Sequence, residues 1–294
     1  MFTTLLGPFP AAAPRGEGVG STIEDLEHAG IELLSDGGLP AGAGDDPAAI
    51  ATRWRTAASL TGLSVKQAVV GPCTAGGAGS ADAADPVEAI RLVVDALVEA
   101  GCPFIEIEEP AAVSIGDVAA ERQRFAELHR ALTAGLAGRV HLSLVLTGGN
   151  VDAVGAATFF DLPYASYAFD LIAGPENWRL IAQAPGDRGI VCGALDPAAG
   201  ASDRPEVLVW AAQYAASTGG RGLVRVGLAN ASSLAGLSRE RATRKVAALS
   251  EAAMIASAGS SEELAAALDP RAVDIRSAAM GRYAPAPRKP TRKR

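Results

Sequence analysis

Short apolar runs alternate with amphipathic stretches along the chain. The runs at 3–7, 31–35, 65–70, 104–108, 140–146, 167–173, 189–195 and 222–228 have the length and residue types of strands. Between them, apolar positions at helical spacing predict helices over 22–29, 46–60, 87–100, 118–137, 151–160, 175–184, 205–217 and 238–255, with one more over 261–268. The punctuation agrees. Asp46-Pro47 and Asp85-Pro86 set a capping aspartate before a first-turn proline, Ser21 and Ser238 stand as N-caps, and Gly30 ends a helix. Strand–helix alternation repeated this way makes the strands parallel and covers them with helices. It predicts an α/β fold, a single-domain (β/α)8 TIM barrel over 1–283. An open doubly wound sheet would share the periodicity, but no GxGxxG follows the first strand.

The stretch Phe104-Ile105-Glu106-Ile107-Glu108-Glu109-Pro110 is the strand that departs most from a plain core. Phe104, Glu106 and Glu108 share one face, Ile105 and Ile107 the other. Burying a carboxylate costs several kcal/mol, roughly, unless it is paired. Glu106 is therefore expected to be neutralised, with Arg225 as the candidate partner, and Glu108, nearer the mouth, to do chemistry. Two carboxylates on one strand face repel, which raises a pKa toward acid/base use. Barrel chemistry sits at the C-terminal ends of strands. Those ends carry Asp36, Thr74, Glu108, Glu109, Asn150, Asp170 and Asp196, besides Thr147, Asn230 and Ser232. Glu108 and Asp170 are the catalytic candidates. Asp36, Thr74, Glu109, Asn150 and Asp196 are the substrate-binding ones.

Other signals read as structural. His141 begins a strand and is expected to be a hydrogen-bonded core residue. His28 and His129 are expected at helix surfaces or ends. Cys73 lacks a second metal ligand nearby in sequence and reads as a small buried residue, so no metal ligand is assigned. The glycine-rich loop at 76–80 lacks the lysine of a phosphate-binding loop.

Composition narrows the partners. The 294 residues carry a net charge of −7, which opposes nucleic acid as a partner. The exception is the basic tail at 284–294, expected to be disordered. Three separated cysteines fit a reducing compartment. Residues 1–14 lack the basic start of a secretory leader, and no run is long enough to span a bilayer. A cytoplasmic protein acting on a small molecule is the expectation.

The strand ends also resemble a known family in their order. Gly7-Pro8-Phe9-Pro10, Leu34-Ser35-Asp36-Gly37, Val65-Lys66 with Gly71-Pro72-Cys73-Thr74, Glu106-Ile107-Glu108-Glu109-Pro110 and Val226-Gly227-Leu228 resemble the catalytic barrel of cobalamin-independent methionine synthase over 1–255. The resemblance implies a (β/α)8 barrel, a zinc-bound thiol substrate and a folate-type methyl donor. It places the family's zinc positions on His141 and Ser143 or on Ser143 and Val145, near Asp170, and at Val226. Pro8 and Gly38 stand at two further positions of the family's pattern, where a serine and an acidic residue are usual. Both zinc cysteines are replaced, so what the resemblance implies is a divergent methyltransferase-like barrel without the usual zinc. A non-catalytic relative binding a small ligand or a partner, and a metal-free lyase or decarboxylase, are the alternatives.

Overall fold

The structure, a computed structural model, describes residues 1–11, 18–77, 86–201 and 204–258. The expectations for residues 78–80 of the glycine-rich loop, Asp85, the helix over 261–268 and the basic tail at 284–294 lie outside those residues. In chain order the first elements are β1 (Phe2–Thr3), α1 (Gly18–His28), β2 (Leu33–Leu34), α2 (Pro47–Ala58), β3 (Ser64–Val65), β4 (Gln67–Val70), α3 (Pro72–Gly76), α4 (Pro86–Ala100) and β5 (Phe104–Glu108). Then come α5 (Ala119–Thr133), β6 (His141–Leu146), α6 (Ala156–Phe160), β7 (Ser166–Asp170), α7 (Trp178–Gln183), β8 (Gly189–Leu195), α8 (Pro205–Ser217), β9 (Val226–Asn230) and α9 (Arg239–Ala258).

Seven strands form one parallel sheet in the order β1-β9-β8-β7-β6-β5-β4. Leu6, Val145, Ala168, Val191 and Ala229 come from five neighbouring segments yet pack in one cluster, joined by Phe2. A flat sheet would hold them apart, so the sheet is curled. The larger core lies on its other side, where Ile105, Ile107, Leu144, Tyr167, Phe169 and Leu228 meet the helices. Both sheet faces are therefore buried, as parallel strands require. β2 and β3 make a second parallel pair, and Lys66 alone separates β3 from β4. Single parallel bridges join Thr4 to Leu33 and Ala41 to Val69. Asn230 clasps the first and last strands: its Oδ1 accepts from Leu6 N and its Nδ2 donates to Leu6 O.

Local details follow from the residues, and some differ from expectation. Asp46 caps α2 by accepting from Ala48 N, and Ser238 Oγ accepts from Arg241 N at the start of α9. Ser21 is not a cap, because α1 begins at Gly18. The helix expected over 151–160 is broken at Gly155, whose φ of 91° ends a 3-10 turn at Asp152–Val154 before α6 starts. The last strand begins at Val226, since Gly222 (φ 69°) opens a 3-10 turn over Leu223–Arg225. Arg225 is thereby left exposed outside the sheet. No helix among the described residues is long and apolar enough to cross a membrane.

Candidate active site

β5 puts its isoleucines into the helix-facing core and its glutamates on the opposite face, as period-two alternation demands. Glu106 lies in register with Ala68 and Ser143, and Glu108 with Val70 and Val145. Lys66 reaches the same face. Its Nζ lies 2.6 Å from Glu106 Oε1 and also donates to the Leu5 carbonyl. The pair is 2% and 1% exposed, so Lys66, and not Arg225, neutralises Glu106.

Three polar atoms around this pair are buried without a hydrogen bond: Glu106 Oε2, Glu108 Oε1 and Ser143 Oγ. Native interiors leave few such atoms, and those they leave call for an explanation. Burial pushes the Glu106 carboxyl up, with Lys66 opposing. Burial, then the charge of Glu106, push Glu108 from 4.5 to about 7, again against Lys66. Glu108 is thus a carboxyl that gives and takes a proton near neutral pH.

The remaining candidates occupy four places. Asp170 is buried at the end of β7 and held by three backbone donors: Oδ1 accepts from Ile172 N and Ala173 N, Oδ2 from Gly148 N. It shares a cavity of about 260 Å³ at the strand C-terminal ends with Asp196, Ala231 and Ser232. Asp36 is tied to Arg53 at 2.6 Å and to Gly38 N. Asn150 Oδ1 accepts from Glu176 N in a neighbouring loop. Thr74 and Glu109 are brought together, but behind the sheet, because Glu109 points opposite to Glu108. A cavity of about 940 Å³ lies between Met1, Thr3, Glu32 and the last turns of α9, and none of these candidates lines it.

Glu109 is fully buried in the helix layer. Its Oε1 accepts from Cys73 N at 2.8 Å; its Oε2 accepts from Thr74 N at 2.8 Å and Thr74 Oγ1 at 2.6 Å. Gly71 makes room for it, since a Cβ there would stand 2.3 Å from the carboxyl carbon. His129 Nε2 lies 3.1 Å from Glu109 Oε1, and Nδ1 lies 2.6 Å from Tyr164 Oη. His129 is 0% exposed, which corrects its expected place at a helix surface. Burial, then the charge of Glu109, push the Cys73 thiol up to about 12.

The positions that the resemblance aligns with zinc ligands do not fit that ion. Val145 sits in the apolar inner cluster and Val226 in the helix-facing core. His141 Nε2 is engaged by Ser166 Oγ at 2.8 Å, its ring stacked on Phe104. Asp170 is spent on backbone N–H groups. No cysteine sulfur replaces the missing soft donors there.

Sequence reasoning missed Lys66 and His129 as partners. Both had signals. Lys66 is a lysine within an otherwise buried strand, next to a strand with acids on its inner face. His129 stands four residues after Phe125 and three before Leu132, on the apolar stripe of α5.

No family model matches the chain, and no curated protein matches it. Solved structures do. A B12-independent methionine synthase from Shewanella sp. W3-18-1, in complex with selenomethionine, superposes with a TM-score of 0.67 at 14% identity, covering 86% of this chain and 96% of that one. A putative vitamin-B12 independent methionine synthase from Listeria monocytogenes gives 0.65 at 13% identity over 86% and 96%. A D-psicose 3-epimerase in the presence of D-fructose gives 0.54 at 14% identity over 88% and 100%. At such identities the likeness is one of fold: TIM-barrel-like, common to methionine synthase-like proteins and sugar epimerases.

Proposed function

We propose that the chain is a divergent methyltransferase-like enzyme, a closed (β/α)8 barrel that acts on a small molecule with Glu108 as its acid/base. The observation that carries this is Glu108, half-buried, with its Oε1 buried and lacking a hydrogen bond, and held near neutrality above the Lys66–Glu106 pair. Closure is supported by the Thr4–Leu33 bridge and the β2–β3 pair, which run between the two outer strands of the sheet. In this reading the ionised Glu108 takes the proton from a small thiol. The sulfur's electron pair bonds the methyl carbon, the carbon–nitrogen bond to a folate-type donor breaks, and the nitrogen receives the proton from Glu108. Proton and methyl group balance, and no metal is needed at the ring's centre. Asp170 and Asp196 shape the mouth.

The second reading is a non-catalytic small-ligand binder. It is favoured by the local hydrogen bonds and ion pair that already occupy Asp36, Asn150 and Asp170. One assay separates the two. Purified protein is incubated with a methylated folate and a panel of small thiols, and Glu108→Gln is run beside it. The enzyme reading expects thioether product from the parent chain and a loss of at least about 100-fold in the variant. Donor binding with equal, background product in both supports the binder. No donor binding and no product refutes the methyl-transfer reading.

A further inference from the structure

We infer that Cys73, Glu109 and His129 form a site for a single borderline-soft divalent cation of the zinc class, on the helix-facing side of the sheet. This site is separate from the interior carboxylates and from the positions that the resemblance aligns with zinc. A sulfur, a carboxylate oxygen and an imidazole nitrogen from these three residues all lie within 4.8 Å of one another. In a tetrahedral zinc site, bonds of roughly 2.0–2.3 Å set sulfur and nitrogen about 3.5 Å apart, so modest side-chain rotation closes the set.

The supporting groups are arranged as ligand-orienting partners. His129 Nδ1 lies on Tyr164 Oη, and Phe125 packs against the ring at 4.1 Å. In the tautomer in which Nδ1–H donates to the tyrosine, as in a ligating histidine, Nε2 presents its lone pair beside Glu109 Oε1 at 3.1 Å. Nε2 is buried and has no aligned hydrogen bond. In that tautomer the lone pair and the carboxylate oxygen repel, and a cation bound by both relieves the repulsion; without the ion, the other tautomer lets Nε2–H face Glu109 and Tyr164 Oη–H face Nδ1. Glu109 is fixed by three donors from Cys73 and Thr74; Oε2 accepts two of them, and Oε1, which accepts one, keeps a lone-pair direction toward His129. A cavity of about 200 Å³, lined by Cys73, Gly77, Ile115, Glu121 and Arg124 among others, opens on the thiol and gives a path for the ion and a fourth, water ligand. A thiolate, an imidazole and a carboxylate with one open position suit zinc or cobalt(II) over calcium or magnesium.

The test uses the full chain stripped with a chelator and titrated with cobalt(II) alone, then with zinc(II). The expected result is one cobalt(II) per chain with a thiolate-to-metal charge-transfer band, displaced by zinc(II). Cys73→Ser, a near-isosteric change at a half-buried position, is expected to abolish the band. Tyr164→Phe is expected to weaken binding about 10–100-fold while keeping it. Should Cys73→Ser fail to fold, alkylation of the parent chain decides: zinc(II) is expected to protect Cys73. Binding without the charge-transfer band, a band that survives Cys73→Ser, or unprotected Cys73 would overturn the site.

Discussion

Glu108→Gln should make the protein more stable at pH 8 and leave it nearly unchanged at pH 4. Burial and the neighbouring Glu106 raise Glu108 from 4.5 to about 7 in the folded chain. The folded state therefore holds this proton more tightly than the unfolded state does. Below pH 4.5 both states are protonated and the site has no linkage cost. Between 4.5 and 7 only the unfolded state ionises, so stability falls as pH rises, and above 7 the loss is complete. At about 1.4 kcal/mol per pH unit, this span is worth roughly 3 kcal/mol. Glutamine mimics the neutral acid and cannot ionise. Its pH-independent packing cost cancels when the difference between variant and parent is compared at two pH values. Urea unfolding of both chains at pH 4 and pH 8 measures that difference. A rise of about 3 kcal/mol in favour of the variant fits the reasoning. A difference that does not change with pH would mean that Glu108 keeps an ordinary pKa, and the acid/base assignment would fall with it.

Three further outcomes follow from the same contacts. Lys66→Met strands Glu106 without its 2.6 Å partner and should cost about 3–5 kcal/mol by urea unfolding, while Lys66→Met with Glu106→Leu should recover much of it. Gly71→Ala drives a Cβ to 2.3 Å from the Glu109 carboxyl and should lower stability by about 1–3 kcal/mol or more, seen as a shift in thermal midpoint. Asp170→Ala orphans the N–H groups of Gly148, Ile172 and Ala173, so amide exchange at these three should speed up, with a loss of about 1–3 kcal/mol.

The alternation of strands and helices was readable because each element carries its own period and many carry their own stops. Asp46-Pro47 and Ser238 mark helix starts that the structure keeps. Breaks set by a single backbone angle were not readable: Gly155 and Gly222 look like any other glycine until their positive φ ends a turn. Pairing across the sheet was also out of reach. Periodicity puts Glu106 on an inner face, but choosing between Arg225 and Lys66 needs the register of β4 against β5 and the turn that holds Arg225 outside. The strand-end acids illustrate the same limit. All are polar groups at strand ends in sequence, yet Asp170 turns to backbone N–H groups, Glu109 faces the helices, and Glu108 alone keeps an unsatisfied oxygen near the Lys66–Glu106 pair. Cys73 shows the same limit. No second ligand is near it in sequence, but folding brings Glu109 and His129 within reach.

The central claim is that Glu108 titrates near neutrality. Carbon-13 NMR of side-chain-labelled glutamate, with Glu108→Gln to assign the resonance, reads this directly. The account predicts a carboxyl resonance that titrates with a midpoint about 7 and disappears in the variant. A Glu108 resonance titrating between about 4 and 5, like a solvent-exposed glutamate, would contradict it.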